Sequence, residues 1–194
     1  MVAPQHEKAG RARILATARA LFDTHGFHQT SMAELATSAQ VSVGQIYRLF
    51  KGKEDIINAL VQDDADTWCD QLTMLRDRLD AGELTIEQTF QQLFLDTLDE
   101  KEEALSFDIL AESFRNPAVG KMIGGMCERF RAFIRHFACA ANPLLSGDAL
   151  DAAEEIVLAC LFGLGHRSLS RPTLGAAPTA RRAARMIVAA LRCQ

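Results

Sequence analysis

Two helix-start signals eleven residues apart constrain this chain more than any other feature of it. Ser31 and Glu34 form an S-x-x-E box, and Ser42 and Gln45 repeat the pattern as S-x-x-Q. In such a box the hydroxyl accepts a backbone N–H from the first helical turn, and the Glu or Gln side chain reaches back to the cap. Met32, Leu35, Ala36 and Ala39 mark one side of the first helix. The second runs from Val43 to about Phe50, with Ile46, Leu49 and Phe50 turned inward. Only Ala39 to Ser42 separate the two helices, so the connection is a tight turn, and Val41 is placed to plug the angle.

The spacing leaves Val43, Gly44, Gln45, Tyr47 and Arg48 on or near an open face, with Lys51 and Lys53 just beyond. Gly44 permits close backbone approach to another molecule. Gln45 has the donor–acceptor pair that matches an adenine edge, and Tyr47 can reach a phosphate or a thymine methyl. The pattern is that of a helix-turn-helix DNA reader. The candidate contacts are Ser31, Met32, Ser42, Val43, Gly44, Gln45, Tyr47, Arg48, Lys51 and Lys53. A solvated helical hairpin is the plainer alternative.

The stretch from about Ile14 to Ile57 resembles the N-terminal domain of TetR-family transcriptional regulators. Its matching residues are Ile14, Ala18, Leu21, Phe22, Gly26, Phe27, Thr30, Ser31, Met32, Ala36, Val41, Ser42, Gly44, Ile46, Tyr47, Phe50, Lys51, Lys53 and Glu54. Two positions depart from the family pattern. Gln40 stands where glycine is common in the turn, and a left-handed conformation there costs about 1 kcal/mol more than for glycine. Leu49 stands where a polar residue is frequent, which removes one possible DNA contact. The resemblance implies an all-α protein, with a three-helix DNA-binding domain over residues 1–53 and a helical effector-binding and dimerisation domain over 54–194. It implies double-stranded operator DNA and a small-molecule effector as partners.

Charge is divided accordingly. Residues 1–53 hold seven basic and three acidic side chains, a net +4 within a chain of net −4, so the remainder carries −8. A basic end bearing the helix-turn-helix fits a polyanionic partner. The first residues contain no apolar signal core, and the five cysteines show no C-x-x-C spacing, so reduced thiols in a cytoplasmic protein are expected.

No strand pattern emerges along the chain. A first helix is expected from Glu7 to His25, ended by Gly26. A long helix follows from Lys53 to Leu79. Thr85 and Gln88 open another, which runs to Leu98. The charged stretch from Asp99 to Glu103 leads into a helix bearing Leu105 and Phe114, and Asn116-Pro117 starts the next. Two final helices, 147–169 and 178–192, are rich in small and apolar residues. The resemblance places a homodimer interface there, with Ala180, Ala183, Ala184, Ile187, Val188 and Leu191 as the stripe of the last helix; the alternative is that both are core helices of the monomer.

The middle helices are rich in Phe and Met. Trp68, Phe90, Phe94, Phe107, Asp108, Phe114, Met126, Phe130 and His166 are candidate lining residues for an apolar or aromatic effector, although such side chains at helical spacing equally form ordinary core. Neighbouring acids such as Glu102/Glu103 and Glu154/Glu155 point in different directions on a helix and read as solvated faces. With no nucleophile–base set, phosphate loop, metal motif or cofactor signature, an enzyme is not expected. The leading reading is a dimeric repressor released from a palindromic operator by its effector. The alternative is a constitutive or thiol-responsive DNA-binding regulator without one.

Overall fold

The computed structural model describes residues 3–98 and 103–193. The regular elements among them are helical: α1 (Ala3–His25), α2 (Met32–Ser38), α3 (Val43–Leu49), α4 (Lys53–Asp80), α5 (Ile86–Leu98), α6 (Glu103–Arg115), α7 (Pro117–Ala141), α8 (Gly147–Gly165), a 3-10 turn (Arg167–Ser170) and α9 (Ala176–Arg192). The all-α expectation holds. Of the charged stretch expected at 99–103, residues 99–102 lie outside the described residues. The helix expected to reach Leu169 ends at Gly165, where the His166 N–H bonds the Phe162 carbonyl and the chain tightens into the 3-10 turn. The last helix starts two residues before Pro178, because a first-turn proline loses no intrahelical hydrogen bond. No described helix is long and apolar enough to cross a membrane.

The chain divides into two compact units, one of residues 1–66 and 102–126, the other of 67–101 and 127–194. The division does not fall at 53/54. Ile56, Ile57, Leu60 and Val61 of α4 and Leu105 of α6 are buried in one cluster with Ile14, Phe22, Leu35 and Ile46, so the first half of α4 and all of α6 belong with the helix-turn-helix.

The first unit is organised by α1. Its apolar positions Ile14, Leu15, Ala18 and Phe22 recur on one face, and all are buried. Gly26 ends the helix at φ 83, with its N–H on the Phe22 carbonyl at 2.9 Å. Arg19 of α1 pairs with Asp64 of α4.

In the second unit α5 is central and packs against both α8 and α9. Its entry is the expected box: the Thr85 N–H donates to Gln88 Oε1 at 2.9 Å, and the Gln88 N–H donates to Thr85 Oγ1 at 3.3 Å. Ala180, Ala184, Val188 and Leu191 of α9 are buried in this core. The stripe assigned from sequence to a dimer contact is therefore spent inside the unit, because small side chains also let α9 approach α5 closely. Glu154 departs from expectation too. It is buried on α8, where it accepts hydrogen bonds from Arg131 and from Arg135 of α7, whereas Glu155 is exposed. The bond to Glu154 raises the Arg131 guanidinium above its ordinary value. Two arginines one turn apart on α7 neutralise the carboxylate that a solvated reading left in water.

Candidate nucleic-acid interface

The reading head is built from local bonds. Ser31 Oγ accepts the Glu34 N–H at 3.1 Å, and Glu34 returns a carboxylate oxygen to the Ser31 N–H at 3.4 Å, so the first box is complete. In the second, Ser42 Oγ accepts the Gln45 N–H at 3.1 Å, but the Gln45 side chain is directed elsewhere. Its amide nitrogen lies 3.0 Å from where a Cβ on Gly10 of α1 would stand. Gly10 is buried and leaves the room that Gln45 occupies.

The turn between α2 and α3 closes with the paired bonds of a left-handed helix terminus. The Val41 N–H donates to the Ala36 carbonyl at 3.0 Å and the Gln40 N–H to the Thr37 carbonyl at 3.1 Å. Gln40 adopts φ 53, the conformation expected of glycine at this position. Val41 packs against the buried cluster, as the turn geometry requires.

Successive α3 residues rotate by about 100°. That rotation leaves Val43, Gly44, Tyr47 and Arg48 on one arc, while Ile46 is buried and Leu49 is half-buried. Val43 is 49% exposed and Tyr47 53%. Nothing stands within 4 Å of a Cβ added to Gly44, so the glycine is not required by packing. Gln45, expected on or near the open face, sits half-buried at the rim of this arc. Ser42 and Ser31 are exposed caps, Met32 is half-buried, and Lys51 is exposed with its N–H on Asp55 Oδ2 at 2.8 Å.

Lys53 is engaged within the protein. Its ammonium donates to the Phe27 carbonyl at 2.6 Å and the His28 carbonyl at 3.1 Å, and stands 4.7 Å over the Phe27 ring. It holds the α1–α2 turn before it holds anything outside the protein. Sequence reasoning had no signal for this, because the contact spans 26 residues.

Residues 14–60 match the family model for bacterial regulatory proteins of the tetR family. That segment is a TetR-family N-terminal domain. Over 113 residues it is 31% identical to the HTH-type transcriptional regulator UidR of Escherichia coli K12, a match covering 58% of this chain and 56% of that protein. The chain thus spans about half the length of the curated relatives it matches. Among solved structures, Salmonella enterica GusR superposes with a TM-score of 0.74 at 24% identity, covering 96% of each chain. A transcriptional regulator from Pseudomonas aeruginosa PAO1 gives 0.78 at 19% identity over 93% of this chain and 89% of its own. At these identities the structural likenesses establish the fold. The matched stretch is the one whose caps and turn carried the family resemblance.

The nine candidate effector-lining residues are divided between the two units. Phe107, Asp108, Phe114 and Met126 belong to the first unit, and Trp68, Phe90, Phe94, Phe130 and His166 to the second. Phe90 and Phe94 are fully buried and stack on each other at 6.0 Å, with Phe137 edge-on to Phe90 at 6.3 Å, so they act as packed core. Trp68 and Phe130, their rings 6.5 Å apart, pack against that core. Met126 is partly buried against the core of the first unit, and Phe107 is half-buried on α6. Phe114, 92% exposed, lines nothing within its unit. Asp108 accepts the Phe27 N–H at 3.0 Å and so is committed to the α1–α2 turn. His166 stacks on Phe162 and shares a 2.8 Å contact with its carbonyl through Nδ1. All five cysteines are free thiols, and burial pushes the Cys127 thiol above its ordinary value.

Proposed function

We propose that this chain is a DNA-binding transcriptional regulator that acts as a homodimeric repressor on a palindromic operator and is released by a small-molecule effector. The observation that carries the DNA-binding part is the exposed arc of Val43, Gly44, Tyr47 and Arg48 on a helix whose every other side is anchored. Gly44 admits a backbone to within van der Waals distance, Tyr47 offers a hydroxyl and an apolar ring, and Arg48 offers a fork of donors.

Dimerisation is supported by the second unit. α8 exposes Ala152, Ile156, Ala159 and Gly163 at helical spacing, and α9 exposes Met186, Ala189 and Ala190. Ile156 is 51% and Met186 73% exposed, more apolar surface than two adjacent solvated helices need. Paired through these faces, two copies would present their reading helices about one DNA turn apart, roughly 34 to 36 Å. The effector is supported by family membership and by a likeness to a Saccharomonospora viridis regulator solved in complex with choline, at 18% identity and a TM-score of 0.73. Its chemical class here is taken to be apolar or aromatic, from the Phe- and Met-rich middle helices.

The test is selection of bound sequences from a random duplex library, then affinity for the enriched sequence at two salt concentrations. A palindrome bound with steep salt dependence is expected. Enrichment of no sequence by the effector-stripped dimer refutes the reading. Tyr47→Ala with Arg48→Ala should abolish enrichment while leaving the oligomeric state unchanged. Lys53 is left intact in this pair, because its loss would also loosen the fold.

A further inference from the structure

The turn between α1 and α2 is held by side chains from other helices to an extent that a surface turn does not need. Within the turn the Gly26 carbonyl accepts from Thr30 Oγ1 at 3.0 Å, and from α4 Lys53 donates to the Phe27 and His28 carbonyls. The Phe27 N–H donates to Asp108 Oδ2 at 3.0 Å, across 81 residues of sequence. His28 Nε2 lies 3.6 Å from Glu112 Oε2, one turn further along α6. Glu112 is buried, and a Cβ on Gly26 would stand 3.6 Å from the Asp108 carboxylate. Both carboxylates come from α6, an element outside the matched reading segment but inside the same compact unit. The far end of α6 is seated closely as well: a Cβ on Gly120 of α7 would stand 2.9 Å from the Ser113 carbonyl, so the corner between α6 and α7 is tight.

We infer that Asp108 is a positioning residue, whose carboxylate latches the α1–α2 turn to α6 so that the place of α6 sets the place of the reading head. The inference rests on the proposed DNA-binding function and deepens it by naming the contact through which α6 controls that site. A backbone N–H held by a carboxylate is a directional, charge-assisted bond, stronger than one between neutral groups. Glu112 beside His28 gives the same helix a second grip, so a displacement of α6 moves the turn with it. Two copies reading successive half-sites would then fit one spacing when the latch is closed and tolerate several when it is open.

The experiment compares the full chain with Asp108→Ala and Asp108→Asn on a series of duplexes whose enriched half-sites are separated by varied spacers. Amide exchange at Phe27 is read in parallel. With the unaltered chain we expect one preferred spacer. With Asp108→Ala the preference should fall by about fivefold or more, with faster exchange at Phe27 and little change at the Ile46 amide, which reports the core of the reading head. Asp108→Asn, which keeps an acceptor oxygen, should restore most of both. A uniform loss of affinity at all spacers, with exchange rising at Ile46 as well, would show a merely structural role and overturn the latch. An unchanged spacer profile in Asp108→Ala would overturn it too, while leaving the DNA-binding function standing. Failure of the unaltered chain to bind any spacer would refute the function and the latch together.

Discussion

Gln40→Gly should make this protein more stable. Gln40 is the left-handed residue that ends α2, at φ 53, and its side chain is exposed. A side chain bearing a Cβ costs roughly 1–2 kcal/mol in that conformation. Glycine removes the cost but returns about 0.5–1 kcal/mol through the larger freedom of its unfolded chain. The net expectation is a gain of about 1 kcal/mol. The bonds of the turn, Val41 N–H to Ala36 and Gln40 N–H to Thr37, use backbone only and survive the change. Urea unfolding followed by far-ultraviolet circular dichroism reads the effect. With slopes of about 1–3 kcal/mol per molar urea, the midpoint should rise by about 0.3–1 M. Gln40→Ala keeps the Cβ and serves as control, with an expected change within about 0.5 kcal/mol. DNA affinity should not move. If Gln40→Gly unfolds at the same midpoint as Gln40→Ala, or below the parent, the assignment of strain to this turn is wrong.

Three further outcomes are expected. Gly44→Ala meets open space and replaces a glycine in a helix, so thermal unfolding should rise by the equivalent of about 0.5–1 kcal/mol, while affinity for the enriched DNA should fall tenfold or so; equal affinity would remove the argument for close backbone approach. Arg48→Ala should lower the slope of log affinity against log salt by about 1, with stability within about 0.5 kcal/mol of the parent; an unchanged slope would show that Arg48 does not meet a phosphate. Among the thiols, Cys193 is exposed, whereas Cys127 is half-buried with a pKa raised chiefly by desolvation, so iodoacetamide at pH 8 should label Cys193 first and Cys127 slowly. A raised thiol pKa means that the folded state holds the proton more tightly. The contribution of Cys127 to stability is therefore full below the ordinary thiol range and is lost as pH rises through the folded value, a loss that Cys127→Ala should abolish in alkaline urea titrations.

What could be read from the sequence was what lies within one helical turn of itself. The Ser31–Glu34 and Thr85–Gln88 boxes, the glycine stop at Gly26, the Asn116-Pro117 start and the left-handed residue at Gln40 are contacts over a few residues, and each is realised in the fold. Local spacing also set the open arc of α3, apart from Gln45, whose side chain is drawn to Gly10 some 35 residues earlier. Periodicity identified which helices bear an apolar stripe. It left undecided whether a stripe meets a neighbour in the same chain or waits for another copy, which is how the Ala180 to Leu191 face of α9 came to be assigned to a dimer when α5 already covers it.

The sequence by itself therefore determined an all-α chain with a helix-turn-helix near its start and the side chains that head presents. Only the tertiary structure decided that Lys53 and Asp108 grip the α1–α2 turn, that Glu154 is buried between two arginines, that Phe90 and Phe94 are core, and that α6 belongs with the reading head. The physical reason is range. Capping and turn energies depend on residues three to five apart, which any reader of the chain can see, whereas the partner of a charged or aromatic side chain is chosen by whichever helix packs against it, and packing brings together positions tens of residues apart that carry no mark of each other.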